Sequence, residues 1–141
     1  MDYQKEFKSL PIKRKYILIA SLIGVLGSIL PWVSFPFGGT VNGLAHNGKF
    51  TLPLFCAIIY FLVTKNRNEE IDDSLQNKVM IIAGLCGLLS LYPLFFGDTT
   101  LSMLGGFVTS TGAYTTGIYM VALAGIAIPV IIKRLTLVIE E

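Results

Sequence analysis

The amino-acid sequence predicts an all-α fold: a four-helix transmembrane bundle with both ends on the cytoplasmic side. Three observations predict it. Apolar residues fill 53% of the 141 positions and charged residues only 14%, against about 25% charged in an average water-exposed domain. The charges are bunched, and the runs between the bunches carry none over lengths near the roughly 20 residues a membrane helix needs. The lysines and arginines fall on one side of the predicted spans. In lipid the backbone has no outside hydrogen-bond partner, so each apolar run is read as a helix.

Residues 1–15 form a cytoplasmic or interfacial segment. Tyr3, Phe7 and Leu10 recur at helical spacing, with Gln4, Lys5, Glu6 and Lys8 on the other side. This predicts a short helix lying on the inner membrane surface, ended by Pro11. The first span, 16–35, follows Lys13-Arg14-Lys15 and closes on Pro31-Trp32. It is too long for a cleaved leader and has no Ala-x-Ala-like site, so it is read as a retained helix. The second span, 49–64, reaches crossing length only if it begins at Lys49, whose side chain can extend toward water. Pro53 falls near its first turn, where a missing donor is tolerated. The loop 65–78 carries Glu69-Glu70 and Asp72-Asp73 between Arg67 and Lys78, and reads as a solvated cytoplasmic turn. The third span is 79–96 and the fourth 113–132, where Pro129 should kink the inner end. The tail is 133–141.

All of the 11 basic residues except Lys49 lie in 1–15, 65–78 or 133–141. The loops 36–48 and 97–112 have none, which places them outside. Trp32 and Phe35, with Tyr92 and Tyr114, fit an outer aromatic belt. The loop 97–112 also carries Leu101, Met103, Leu104, Phe107 and Val108, which invites contact with lipid or protein.

The two halves look alike. Gly24 and Gly27 precede Pro31, as Gly84 and Gly87 precede Pro93. Each outer loop then places a polar residue and glycine twice before a helix: Asn42-Gly43 and Asn47-Gly48, then Thr111-Gly112 and Thr116-Gly117. Two hairpins that both start inside make a parallel 2+2 repeat. Asn47 and Thr116 are placed to cap the helices that follow.

Helices associate in lipid by close approach at small residues. The packing positions are Ala20, Gly24, Gly27 and Ser28 on the first helix, Ala83, Gly84 and Gly87 on the third, and Gly117 and Gly125 on the fourth. The first, third and fourth helices should therefore approach closely. The second, rich in Phe55, Ile58, Ile59, Tyr60 and Phe61, should be more peripheral or face a partner. Cys56 and Cys86 read as small buried hydrophobes.

Apart from Lys49 at the outer border of the second, no charged residue falls inside a span. That removes the usual mark of a pump or a buried catalytic centre. The reading assigns no catalytic residue, no metal and no cofactor. The net charge of +2 is small and interrupted, which speaks against nucleic acid. Candidate outer-face interaction residues are Trp32, Asn42, Gly43, His46, Gly48, Lys49, Asp98, Gly112 and Tyr114.

The phrase Leu30-Pro31-Trp32-Val33-Ser34, followed by Asn42-Gly43 and Asn47-Gly48, resembles uncharacterised small bacterial four-helix membrane proteins. Those pair a Pro-Trp at the end of the first helix with two loop glycines. The resemblance covers mainly residues 20–64. It implies a prokaryotic cytoplasmic membrane and no activity.

The expected function is that of a non-enzymatic membrane interaction protein: a small subunit, accessory or immunity-type factor. Its partners would be the lipid bilayer and another membrane protein or further copies of itself. The alternative is a homo-oligomeric pore or small-solute channel lined by the polar outer phrases. An enzyme would require His46, Lys49 and Asp98 to converge.

Overall fold

Pro11 opens the first helix because it fixes φ and needs no donor there. The computed structural model describes residues 10–35, 39–64, 69–96 and 113–139. In it α1 spans Ile12–Ile29, and α2, α3 and α4 span Gly48–Thr64, Asp73–Phe96 and Thr116–Ile139. Among the described residues the chain is thus mainly four helices. α3 and α4 are long and apolar enough to cross a membrane, with mean hydropathies of 1.8 and 1.9, and α2 is a shorter apolar helix.

α1 ends earlier than the apolar run suggests. Leu30 turns extended at φ −63° and ψ 160°, as a residue before proline prefers. Pro31–Ser34 then forms β1, where the sequence reading continues the helix to residue 35. β2 is Thr40–Asn42 and β3 is Ala113–Tyr114, and both pair antiparallel with the central β1. A 3-10 turn at Gly43–Ala45 leads from β2 toward α2. The loop and helix-end segments of the sequence reading therefore contain a small three-stranded sheet that caps one end of the bundle.

The broadest helix interfaces are α1–α4, α3–α4 and α1–α2, followed by α2–α3. α1 and α3 share no extensive interface, so they do not approach each other as the small-residue pattern suggests. α2 is not peripheral. Phe55 and Ile58 are 0% exposed, and Leu62 is buried with them. The reason is local: a Cβ at Gly24 would lie 2.5 Å from the Phe55 ring, so the phenyl occupies the hollow that glycine leaves on α1. Cys86 is buried, but Cys56 is exposed on the far side of α2. The core is completed by Ile17, Val79, Ala83, Val121 and Ile128.

The glycines of α4 explain its central place. A Cβ at Gly125 would sit 2.6 Å from Gly87 N and 2.9 Å from the Ala83 carbonyl oxygen. One at Gly117 would sit 2.6 Å from the Pro31 carbonyl oxygen and 3.0 Å from that of Gly27. Backbone meets backbone on both sides of α4. Ala20 is buried as well. Gly84 behaves differently from the packing position expected of it: nothing lies within 4 Å of a Cβ built there.

Candidate functional site

The sheet end gathers most of the outer-face candidates around one side chain. The register between β1 and β2 shifts between Pro31 and Val33. Such an irregularity re-aims the residue within it, here Trp32. Its indole is 1% exposed, and Nε1 donates to the Gly27 carbonyl at 2.9 Å. The ring stacks on His46, with centroids 6.3 Å apart and planes 13° apart. His46 is itself 5% exposed.

Three glycines make room for this arrangement. Cβ atoms at Gly43 and Gly117 would clash with the indole, and one at Gly48 would clash with Gly43 and the Ser28 carbonyl. Chain can approach chain and ring this closely only without a side chain. Hydrogen bonds complete the cap. Gly43 N donates to the Leu30 carbonyl at 3.0 Å, and Thr115 N donates to that of Trp32 at 2.9 Å. The Thr115 hydroxyl donates to the Pro31 carbonyl, and the Tyr114 hydroxyl donates to that of Pro93 at 2.7 Å.

Trp32, Gly43, His46 and Gly48 thus come together, but as interior packing and not as an outward face. Trp32 cannot serve in an exposed aromatic belt, because its donor and its ring are used inside. Asn42 and Lys49 are exposed, and the Lys49 ammonium lies 5.2 Å over the Phe50 ring. Asp98, Gly112 and the apolar stretch of 97–112 lie outside the described residues, as does the expected amphipathic segment before residue 10. The Asn47 amide reaches across to α3 and donates to the Leu89 carbonyl at 2.9 Å. Among the described residues, no three His, Cys, Asp or Glu side chains could hold a metal ion.

Below the cap runs a short buried polar link. The Ser28 hydroxyl lies 2.8 Å from that of Thr51 and 2.8 Å from the Gly24 carbonyl. Ser28 and Thr51 are both 0% exposed. The link ties α1 to α2 where hydroxyls have no water to turn to.

The opposite end is held by residues that the sequence reading assigns only to orientation. Arg14 is 2% exposed. Its Nε donates to the Glu69 carbonyl at 2.8 Å, and one terminal nitrogen donates to that of Leu62 at 2.7 Å. The Leu62 carbonyl belongs to the last turn of α2, where no intrahelical donor remains. Lys13 reaches the Thr136 hydroxyl of α4 at 3.3 Å and lies 3.9 Å from the Glu70 carboxylate. Burial holds the Arg14 guanidinium below its ordinary value, while the nearby Asp72 and Glu69 carboxylates pull it back up. Asp72 also caps α3, its Oδ1 accepting from Leu75 N at 3.3 Å. The acidic turn thus keeps its carboxylates exposed while it docks through the Glu69 carbonyl and through Ile71, which is 4% exposed.

Among the described residues, apolar grooves lie on the flank of α3. One, of about 380 Å³, lies between α3 and α4, floored by Gly84, Gly87 and Gly125 and walled by Leu88, Ile126 and Val130. The other, of about 360 Å³, is lined by Asn47, Leu85, Leu88, Leu89 and Tyr92. Leu88 borders both. The sequence marks Gly84 and Gly87 as small but carries no signal that one is covered and the other open. A comparison with known proteins finds no family model, no curated protein and no solved structure that matches this chain.

Proposed function

We propose that this chain is an integral membrane protein that crosses the bilayer four times with both ends in the cytoplasm. It acts without catalysis, as a small subunit, accessory or immunity-type factor that binds another membrane component. The observation that carries this reading is the outward face of the bundle. Large apolar side chains are exposed on every helix: Leu26 at 57%, Tyr60 at 63%, Leu88 at 67% and Leu123 at 67%. Exposed apolar area of that extent marks a surface made for lipid or protein.

The α3 flank supports the choice of interaction over simple residence in lipid. α1 presents an outward row that includes Ile19, Leu22, Ile23 and Leu26. α3 instead presents a glycine-floored groove beside Leu88, the texture that admits a neighbouring helix. The parallel 2+2 repeat and the prokaryotic cytoplasmic membrane belong to the same proposal, supported by the paired glycine phrases and the position of the basic residues.

Photocrosslinking in native membranes tests it. A photoreactive residue at Leu88 should capture a discrete protein band, and the same residue at Leu22 should capture lipid. A band that proves to be a second copy of this chain turns the reading toward the homo-oligomer. Lipid alone at both positions rejects the interaction role. A tag on the tail that reacts with an impermeant reagent outside the cell rejects the topology.

A further inference from the structure

Proline has no N–H, so inside a helix it leaves the carbonyl four residues before it without its donor. Three helices carry such a proline: Pro53 in α2, Pro93 in α3 and Pro129 in α4. In lipid a freed oxygen is met instead by a neighbouring helix or by a Ser or Thr side chain. Pro53 frees the Lys49 carbonyl, at the exposed outer end of α2. Pro93 frees the Leu89 carbonyl, and the chain answers it: the Asn47 amide donates there at 2.9 Å.

Pro129 frees the Gly125 carbonyl, and here the neighbouring positions carry no donor side chain. Across the seam stand Gly87 and Ala83. The Ser90 hydroxyl is turned to the Gly87 carbonyl, at 2.8 Å. On α4 itself the hydroxyls of Thr116, Tyr119 and Thr136 are at least six residues away, about 9 Å along the axis. A helical carbonyl points along the axis toward the residue four places on, so this oxygen lies between Gly125 and Pro129. Both residues line the groove between α3 and α4. The groove thus holds one hydrogen-bond acceptor among apolar walls.

We infer that the occupant of this groove is a transmembrane helix of another protein, which donates a Ser or Thr hydroxyl to the Gly125 carbonyl. This rests on the membrane interaction reading proposed above and names the chemistry of its partner. Depth argues against a lipid donor. Gly125 is nine residues from Thr116 at the start of α4 and eight from the exposed Lys133, about 14 and 12 Å. Water and lipid headgroups lie outside the hydrocarbon core, so a donor at that level is carried by a helix. A second copy docked by two-fold symmetry presents the same flank. Residues 80–88 and 122–130 contain no side-chain hydroxyl, amide or indole, so such a copy brings no donor. Gly84 and Gly87 give the close approach that a small hydroxyl residue needs to reach the carbonyl.

The experiment reconstitutes the full chain, labelled with one fluorophore on its tail, into phosphatidylcholine vesicles with synthetic transmembrane helices that carry a second. These helices are built of leucine and alanine, with either one central serine or alanine in its place. Energy transfer should show the serine helix bound about 3-fold more tightly, as one hydrogen bond between membrane helices provides. Pro129→Ala returns an N–H to the Gly125 carbonyl and should abolish that preference. Gly84→Leu, where a Cβ meets nothing within 4 Å, should fill the groove and weaken the binding of both helices. Circular dichroism checks that each variant keeps its helices. Equal binding of the two helices or of neither, a preference that survives Pro129→Ala, or binding untouched by Gly84→Leu each overturns the inference. Energy transfer between two labelled copies of this chain, lost in Gly84→Leu, also overturns it, since the occupant is then a second copy. These results leave the interaction reading standing, because capture at Leu88 decides that separately. A chain that floats with none of the vesicles overturns the membrane reading and this inference together.

Discussion

Two glycines of the same helix pair should respond in opposite ways to the same added methyl. At Gly125 a Cβ would meet Gly87 N at 2.6 Å, Gly87 Cα at 2.7 Å and the Ala83 carbonyl oxygen at 2.9 Å. Ordinary contact begins at 3.4 Å, and all three neighbours are backbone, which cannot rotate away. Gly125→Ala must therefore push α3 and α4 apart by about 1 Å. Overpacking of this kind costs about 1–3 kcal/mol. A gap of that size also forfeits a quarter to a half of the dispersion well for atoms along the seam, where Ala83 is 0% exposed. The better helix propensity of alanine returns at most about 1 kcal/mol.

At Gly84 a Cβ meets nothing within 4 Å. Gly84→Ala should thus keep the propensity gain of up to about 1 kcal/mol without a clash. The two variants should differ by roughly 2 kcal/mol, or about 6 °C in melting midpoint for a chain of this size. Thermal unfolding followed by circular dichroism in one detergent measures both against the parent chain. Equal shifts for the two, or a larger loss at Gly84, would refute the backbone contact between Gly87 and Gly125 as the seam of α3 and α4.

Trp32→Phe keeps an aromatic ring but removes the donor to the Gly27 carbonyl, so it should cost about 1–3 kcal/mol, read by thermal unfolding; a neutral result would mean that the indole nitrogen is satisfied elsewhere. Ser28→Ala should cost roughly 0.6 kcal/mol and at most about 1.7, the range for hydrogen bonds between membrane helices. A double-mutant cycle with Thr51→Val should return a coupling of at least about 0.5 kcal/mol. Arg14→Met strips donors from the buried Leu62 carbonyl and the half-buried Glu69 carbonyl and should cost about 1–3 kcal/mol. Its pH profile is also defined. Burial lowers the folded value of Arg14 below its ordinary unfolded one, so the folded state binds fewer protons, and stability rises with pH only across that gap. Arginine stays charged around neutrality. The advantage of the parent over Arg14→Met should therefore be flat from about pH 6 to about pH 8 and widen only in strong alkali. A slope near neutrality would mean that another titrating group is coupled to the site.

The helices are readable because their apolar runs are long and their edges are charged. The end of α1 is not, since Pro31-Trp32-Val33-Ser34 follows the helix without a charge to mark the break, and only the Leu30 backbone records the change to strand. β3 has two residues and no pattern of its own; it exists because β1 offers a free edge. Tryptophan beside a predicted span reads as a boundary marker, but the same amphipathic ring fits a buried place once Gly27 supplies an acceptor and Gly43 and Gly117 supply space. Arg14 reads as one member of a basic cluster. The carbonyls that hold it come from Leu62 and Glu69, far along the chain, and nothing local to Arg14 announces them.

The groove beside Gly84 goes with one difference between α2 and α4. Counted from Gly48 and Gly117, which open α2 and α4 in matching phrases, Phe55 and Ala124 stand at the same place. Gly24 on α1 receives the phenyl of Phe55. Gly84, its counterpart on α3, faces an α4 whose matching residue ends at Cβ. The hollow over Gly24 is filled by a ring, and the hollow over Gly84 is not. Gly48 and Gly117 both close on the end of α1, at Ser28 and at Gly27 and Pro31. These two features have the same consequence. They bind the α1 end tightly from two sides, and they leave the α3 flank as the side on which this bundle has room for something else.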